Sequence, residues 1–366
     1  MILHPKDRIT PTQTALTVAH FTIGVSILVL PRIVVDKSGT SDAWISVLLG
    51  GFLSLFFGYV AAKLSQQFPG QTFYQYNQII AGRFIGTILS IALIIYFILI
   101  TGYQVRILGE TIRLHVLEKT PIEVVSIAFI SAATYLTIGG INPIAQLCEL
   151  FSFPIALPLL LTLLLSVPHF ELDNLRPVLS EGMTPILKGV PPTLLSFLGF
   201  ESILILTAFM KEPNKAVKST LIGIGVIIPF YFLIVLMTIG VFTMEEVKTL
   251  TWPTMTLAKD IEFPGEFFER FDSLLVIIWI MTTYTSFVPY HYATSLGLAQ
   301  LFKKDIHYFI FGLLPVIYIV AMYPSDINSL FTFSNYLGYF GVFVAMFVPV
   351  SLWLIVKVKG LGHKKS

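Results

Sequence analysis

Ten apolar stretches of about twenty residues follow one another along this 366-residue chain, and that succession constrains the fold more than any other feature. They fall at roughly 12–34, 42–63, 84–109, 121–140, 142–167, 189–210, 216–243, 271–300, 306–323 and 333–356. Hydrocarbon offers no water to backbone N–H and C=O groups, so a spanning segment must satisfy them internally as a helix. The expectation is an all-α membrane protein of ten transmembrane helices, one polytopic domain over 1–366. Composition agrees, with 55% hydrophobic and 12% charged residues, about half the charge usual in soluble domains. Turn-forming clusters at 68–70, 139–143, 211–214 and 323–326 separate the stretches. The first stretch lacks a small-residue cleavage site and is too long for a signal peptide, so it is expected to stay as a span.

Charge gives the sidedness. With the N-terminus inside, 13 of the 23 Lys and Arg fall inside and 10 outside, and the long outer connections weigh little in the positive-inside rule. Carboxylates separate further: Asp7, Glu212 and Asp305 lie inside against 16 outside, leaving Glu149 and Glu201 in the membrane. Both termini are therefore expected to be cytoplasmic. Ten spans divide into five and five, and an odd number per half inverts the second half relative to the first. The halves are 1–167 and 189–356. Residues 169–188 and 245–270 are outer loops, either lids over a vestibule or solvated connections.

Two spans are interrupted. Span six carries Gly199 and the carboxylate Glu201 near its middle, and span one carries the sequence ThrIleGlyValSer at 22–26. An ionisable or unwound position in hydrocarbon persists only where it faces protein or a water-filled cavity. Interruptions at matching places in two halves point to a transporter-type binding site. Other chemistry finds little support. The lone Cys148 excludes an internal disulfide and a cysteine metal site, and the seven histidines are scattered, so no metal or cofactor is expected. A net charge of +2 without a basic tract gives no nucleic-acid signal. No phosphate-cradling loop or paired nucleophile and base is evident, so an enzyme is not expected.

SerPheLeuGlyPheGlu at 196–201 and ThrIleGlyValSerIleLeuValLeuPro at 22–31 resemble the sixth-helix and first-helix signatures of the amino acid/polyamine/organocation transporter superfamily. Within it, three longer phrases resemble the spore germination receptor B subunits, or endospore germination permeases: YQVRILGETIRLHVLEKTP at 103–121, LDNLRPVLSEGMTPILKG at 172–189 and WPTMTLAKDIEFPGEFFERFDSLLV at 252–276. The resemblance covers essentially the whole chain. It implies a LeuT-like fold with helices 1 and 6 interrupted, and a subunit that senses a small nutrient such as an amino acid. It also implies the spore inner membrane, with receptor A and C subunits as partners. A working amino acid permease is the alternative, since sensing and transport need the same site.

A free amino acid carries a carboxylate and an ammonium, and a broken helix offers a partner to each. The carboxylate is placed on the amides of Gly24, Val25 and Ser26, with the Ser26 hydroxyl as an extra donor. Carbonyls near Thr22 and Phe197 receive the ammonium, and Gly24 and Gly199 let the ligand approach the backbone or else serve helix packing. Tyr96, Tyr103, Phe200, Tyr284 and Thr285 are the candidates for the side-chain pocket. Glu201 lines the pocket, pairs with a polar group or takes up a proton, and Glu149 is the second candidate for a gating or proton site. Proton-coupled members of the superfamily carry a lysine on the fifth helix, where this chain has none.

Overall fold

The computed structural model describes residues 7–24, 26–260 and 271–361, and these contain fifteen α-helices together with short 3-10 segments. The first seven are α1 Pro11–Ile23, α2 Ser26–Ser38, α3 Ala43–Ser65, α4 Phe73–Ala81, α5 Arg83–His115, α6 Ile122–Ile138 and α7 Ile141–Leu165. Then follow α8 Met183–Ser196, α9 Ile203–Leu206, α10 Ala216–Thr249, α11 Pro253–Lys259 and α12 Phe271–Phe302. The last are α13 Ile306–Met322, α14 Ile327–Val342 and α15 Val348–Lys359. Among the described residues, α3, α5, α7, α10 and the run Ile327–Lys359 are each long and apolar enough to cross a membrane. Two bent pairs are so jointly: α1 with α2, inclined at 52°, and α8 with Phe200–Phe209, inclined at 43°. Apolar α6 and α13 are shorter.

Local chemistry sets the boundaries. Thr10 caps α1 by accepting the Gln13 N–H, while the Gln13 side chain accepts the Thr10 N–H in return. Asp326 and Ser329 form the same reciprocal pair, which starts the last span at Ile327 instead of the expected 333. Helix α8 starts at Met183, so 183–188 belongs to a helix and not to the outer loop read from sequence. The last span also contains a π-helical turn, Phe343–Phe347, ahead of Pro349. Neither α4 nor α11 is signalled by hydropathy.

Helices α3, α8 and α10 approach closely because α3 presents glycines at the contacts. A Cβ on Gly50 would stand 2.4 Å from Thr193 Cγ2, and one on Gly58 2.4 Å from Ile224 Cδ1. The two long connections read from sequence as outer loops are tied to the helices where they are described. In the first, the Glu171 N–H and the Asn174 side-chain amide donate to Gly240 O at 3.0 and 2.8 Å, while Leu179 N donates to Asp42 Oδ2 at 3.0 Å. In the second, α11 reaches α2. Pro31 has no N–H for the carbonyl four residues back, Ile27 O, and the Thr254 hydroxyl donates to that oxygen at 2.7 Å. Residues 261–270 of the second loop lie outside the described residues.

Candidate functional site

The two interruptions touch each other. At Gly24, where α1 ends, φ is +23°, and at Gly199, just beyond α8, φ is +131°. A Cβ on Gly199 would lie 2.5 Å from the carbonyl carbon of Phe21 and from Thr22 N, so only glycine lets the backbones meet.

Beside this junction, on the side of α2 and α8, lies a cavity of about 80 Å³. Thr22, Gly24 and Ser26 line it from the first break, Ser196 and Leu198 from the second, and Val29 and Ile33 from α2. Tyr96, Ile100, Tyr103 and Gln104 close it from α5, and Ser334, Asn335, Leu337 and Gly338 from α14. Among the described residues no Lys, Arg, Asp or Glu lines it, and its polar lining consists of hydroxyls, amides and backbone groups.

Of the residues singled out from sequence, Thr22, Gly24, Ser26, Tyr96 and Tyr103 meet at this cavity, and Val25 lies outside the described residues. Phe197 packs instead against Tyr231 with centroids 5.0 Å apart, and Phe200 is fully buried away from the cavity. Glu201 is also fully buried off the cavity. Its Oε2 accepts the Gly199 N–H at 2.7 Å, capping the break that contains it, and its Oε1 accepts the Tyr290 hydroxyl at 3.3 Å. Tyr284 turns away to donate to Ala132 O at 3.0 Å. Thr285 meets the ring of His20, with Oγ1 2.8 Å from Nδ1, and the other ring nitrogen is 3.0 Å from Ser152 Oγ. Glu149 is exposed and accepts the Gln13 amide at 3.0 Å.

Sequence reasoning missed the α14 wall. Ser334 and Asn335 stand in an apolar run, which is a signal, but the face they occupy follows from packing: a Cβ on Gly338 would meet Leu195 at 2.6 Å, and one on Gly341 would meet Leu198 at 2.5 Å. Gln104 was missed as well. Its amide donates to Ser286 Oγ at 2.8 Å, and Ser286 donates to Phe21 O at 3.4 Å, joining α5 and α12 to the first break.

Residues 8–330 match the family described as "Spore germination protein". The chain belongs to the spore germination permease family. Spore germination protein YndE of Bacillus subtilis (strain 168) is 40% identical over 361 residues, covering 98% of this chain and 99% of that protein. Spore germination protein A2 of the same organism is 33% identical over 345 residues, covering 93% of each. The crystal structure of MhsT in complex with L-phenylalanine superposes with a TM-score of 0.72 at 11% identity, over 95% of this chain and 89% of that one. The chain is thus an integral membrane protein of the LeuT-like fold, in a family of permease type and not of enzymes.

Proposed function

We propose that this spore germination permease is the nutrient-sensing membrane subunit of a germinant receptor. It binds a small zwitterion such as an amino acid between its two helix breaks and passes the resulting change of shape to receptor A and C subunits. The observation that supports this is the cavity itself, an uncharged chamber bounded by both breaks. α2 begins at the cavity with Ser26, and the first-turn N–H groups of a helix, which have no partner within it, together with the positive end of its dipole suit a carboxylate beside the Ser26 hydroxyl. Thr22 O accepts the ammonium on its second lone pair, the first being engaged by the Tyr231 hydroxyl at 3.1 Å. Tyr96, Ile100, Tyr103, Leu198 and Leu337 provide an apolar and aromatic lining for the ligand side chain, and Gln104, Ser334 and Asn335 select among its polar groups.

In this reading 1–167 and 189–356 are two five-helix repeats of opposite orientation. Both termini are cytoplasmic, and the membrane is the spore inner membrane. Ligand closure draws α2, α8 and α14 together. A second reading, a secondary active amino acid transporter, is favoured by the fold shared with MhsT. Uptake of a radiolabelled amino acid panel by the purified protein in proteoliposomes separates the two. Saturable retention near one molecule per protein, insensitive to ion gradients, is expected of a sensor. Accumulation well beyond that supports the transporter. Absence of saturable binding to every member of the panel, also when partner subunits are present, would refute the amino acid site.

A further inference from the structure

Breaking a membrane helix frees carbonyl oxygens, and in transporter-type folds such carbonyls commonly coordinate a coupling cation. Here those at the junction are already engaged. The hydroxyl of Tyr231, on α10 and fully buried, lies 3.1 Å from Thr22 O, 3.2 Å from Ile23 O and 3.4 Å from Ser196 O. The last carbonyls of α1 and of α8 therefore converge on one phenolic proton, with Ser26 beside it. The neighbouring Phe21 O accepts from Ser286.

We infer that the Tyr231 hydroxyl stands where a coupling cation would otherwise sit, so that this permease joins its two helix breaks without sodium. Three carbonyl dipoles aimed at one point create a negative potential that needs a positive charge or a donor. A hydroxyl supplies a fixed partial positive charge there, and its oxygen occupies the volume an ion would need. One proton cannot saturate three acceptors, so the carbonyls keep lone pairs directed at the junction. Removal of the hydroxyl oxygen alone, leaving the ring, opens a space of roughly one oxygen atom lined by these carbonyls and Ser26. That is a small-cation site. Tyr231 is a positioning residue in this scheme, because it touches the freed backbone and does not line the cavity.

Sodium itself is the probe, so the outcome does not depend on the nutrient-site reading. Thermal unfolding of the full chain in detergent is measured in sodium, potassium and choline chloride at equal ionic strength, for the wild type and for Tyr231→Phe. The wild type is expected to unfold at one temperature in all three salts. Tyr231→Phe is expected to unfold earlier in choline and to recover by about 2 °C or more in sodium, as ligand linkage predicts for a newly formed site. A merely structural tyrosine would lower the midpoint equally in every salt, which overturns the inference. A sodium-specific rise in the wild type also overturns it, and that measurement stands even if the variant fails to fold.

Discussion

Adding one methyl group at Gly199 tests the contact between the two breaks most directly. In Gly199→Ala the new Cβ would sit 2.5 Å from the Phe21 carbonyl carbon, 2.5 Å from Thr22 N and 2.6 Å from Thr22 Cα, where ordinary contacts begin at 3.4 Å. The backbones must separate by about 1 Å, because none of these atoms belongs to a side chain that can rotate away. The φ of +131° adds strain, since L side chains rarely adopt it. Backbone strain of about 1–3 kcal/mol and overpacking of about 1–3 kcal/mol together give a loss of about 2–6 kcal/mol. The expected result is a lowered unfolding midpoint in detergent and loss of nutrient response, with membrane insertion retained. Gly225→Ala is the comparison: nothing lies within 4 Å of its Cβ, and a helical Gly-to-Ala change there gains up to about 1 kcal/mol. If Gly199→Ala matches Gly225→Ala in both stability and nutrient response, the contact described here is wrong.

Four further outcomes follow from the geometry. Glu201→Gln keeps an oxygen able to accept the Gly199 N–H and should fold normally, whereas Glu201→Leu orphans that amide and should lower stability by about 1–3 kcal/mol in the same unfolding assay. Glu110 pairs with Arg106 at 2.9 Å, with side chains 2% and 8% exposed, so Glu110→Ala should cost about 3–5 kcal/mol. Arg113→Ala, at a half-exposed partner of the same carboxylate, should cost under about 1 kcal/mol, and equal losses would contradict this ranking. Asn335→Leu should change nutrient affinity or preference about tenfold in a binding assay while moving stability by less than about 0.5 kcal/mol. His20→Ala removes the bridge between Thr285 and Ser152 and enlarges a neighbouring apolar cavity of about 130 Å³, so it should destabilise by about 2–4 kcal/mol, with partial recovery in His20→Gln.

The breaks were legible because a glycine and a carboxylate are costly inside an apolar run, and ThrIleGlyValSer and Gly199–Glu201 stand out for that reason. Whether such a residue faces the ligand or the protein is another matter. Glu201 closes the break it belongs to, because the Gly199 amide is two residues away and needs an acceptor. Hydropathy cannot tell one face of a uniformly apolar helix from another, so the turn of Tyr284 toward Ala132 and of Asn335 toward the cavity emerges only from packing. Tyr231 is one of 15 tyrosines, and nothing local to it signals that its hydroxyl meets carbonyls more than 200 residues earlier. The α14 boundary was missed for a simpler reason: window hydropathy does not register the cap made by Asp326 and Ser329.

At the far end of α1 from the cavity, Ile9 N donates to Phe209 O at 2.9 Å, and Lys211 N donates to Ile9 O at 2.9 Å. This rung joins the lead-in of the first bent pair, α1 with α2, to the tail of the second, α8 with Phe200–Phe209. The two share a fulcrum at the Gly199 contact and a tie at the Ile9 rung, so neither half-span can swing alone without breaking one of them. If the proposed function holds, they form a single lever with the ligand at one arm. A partner protein that grips the other arm would sense occupancy of the cavity as a tilt of both walls together, and by the reciprocity of coupled equilibria its grip would in turn alter how tightly the nutrient is held.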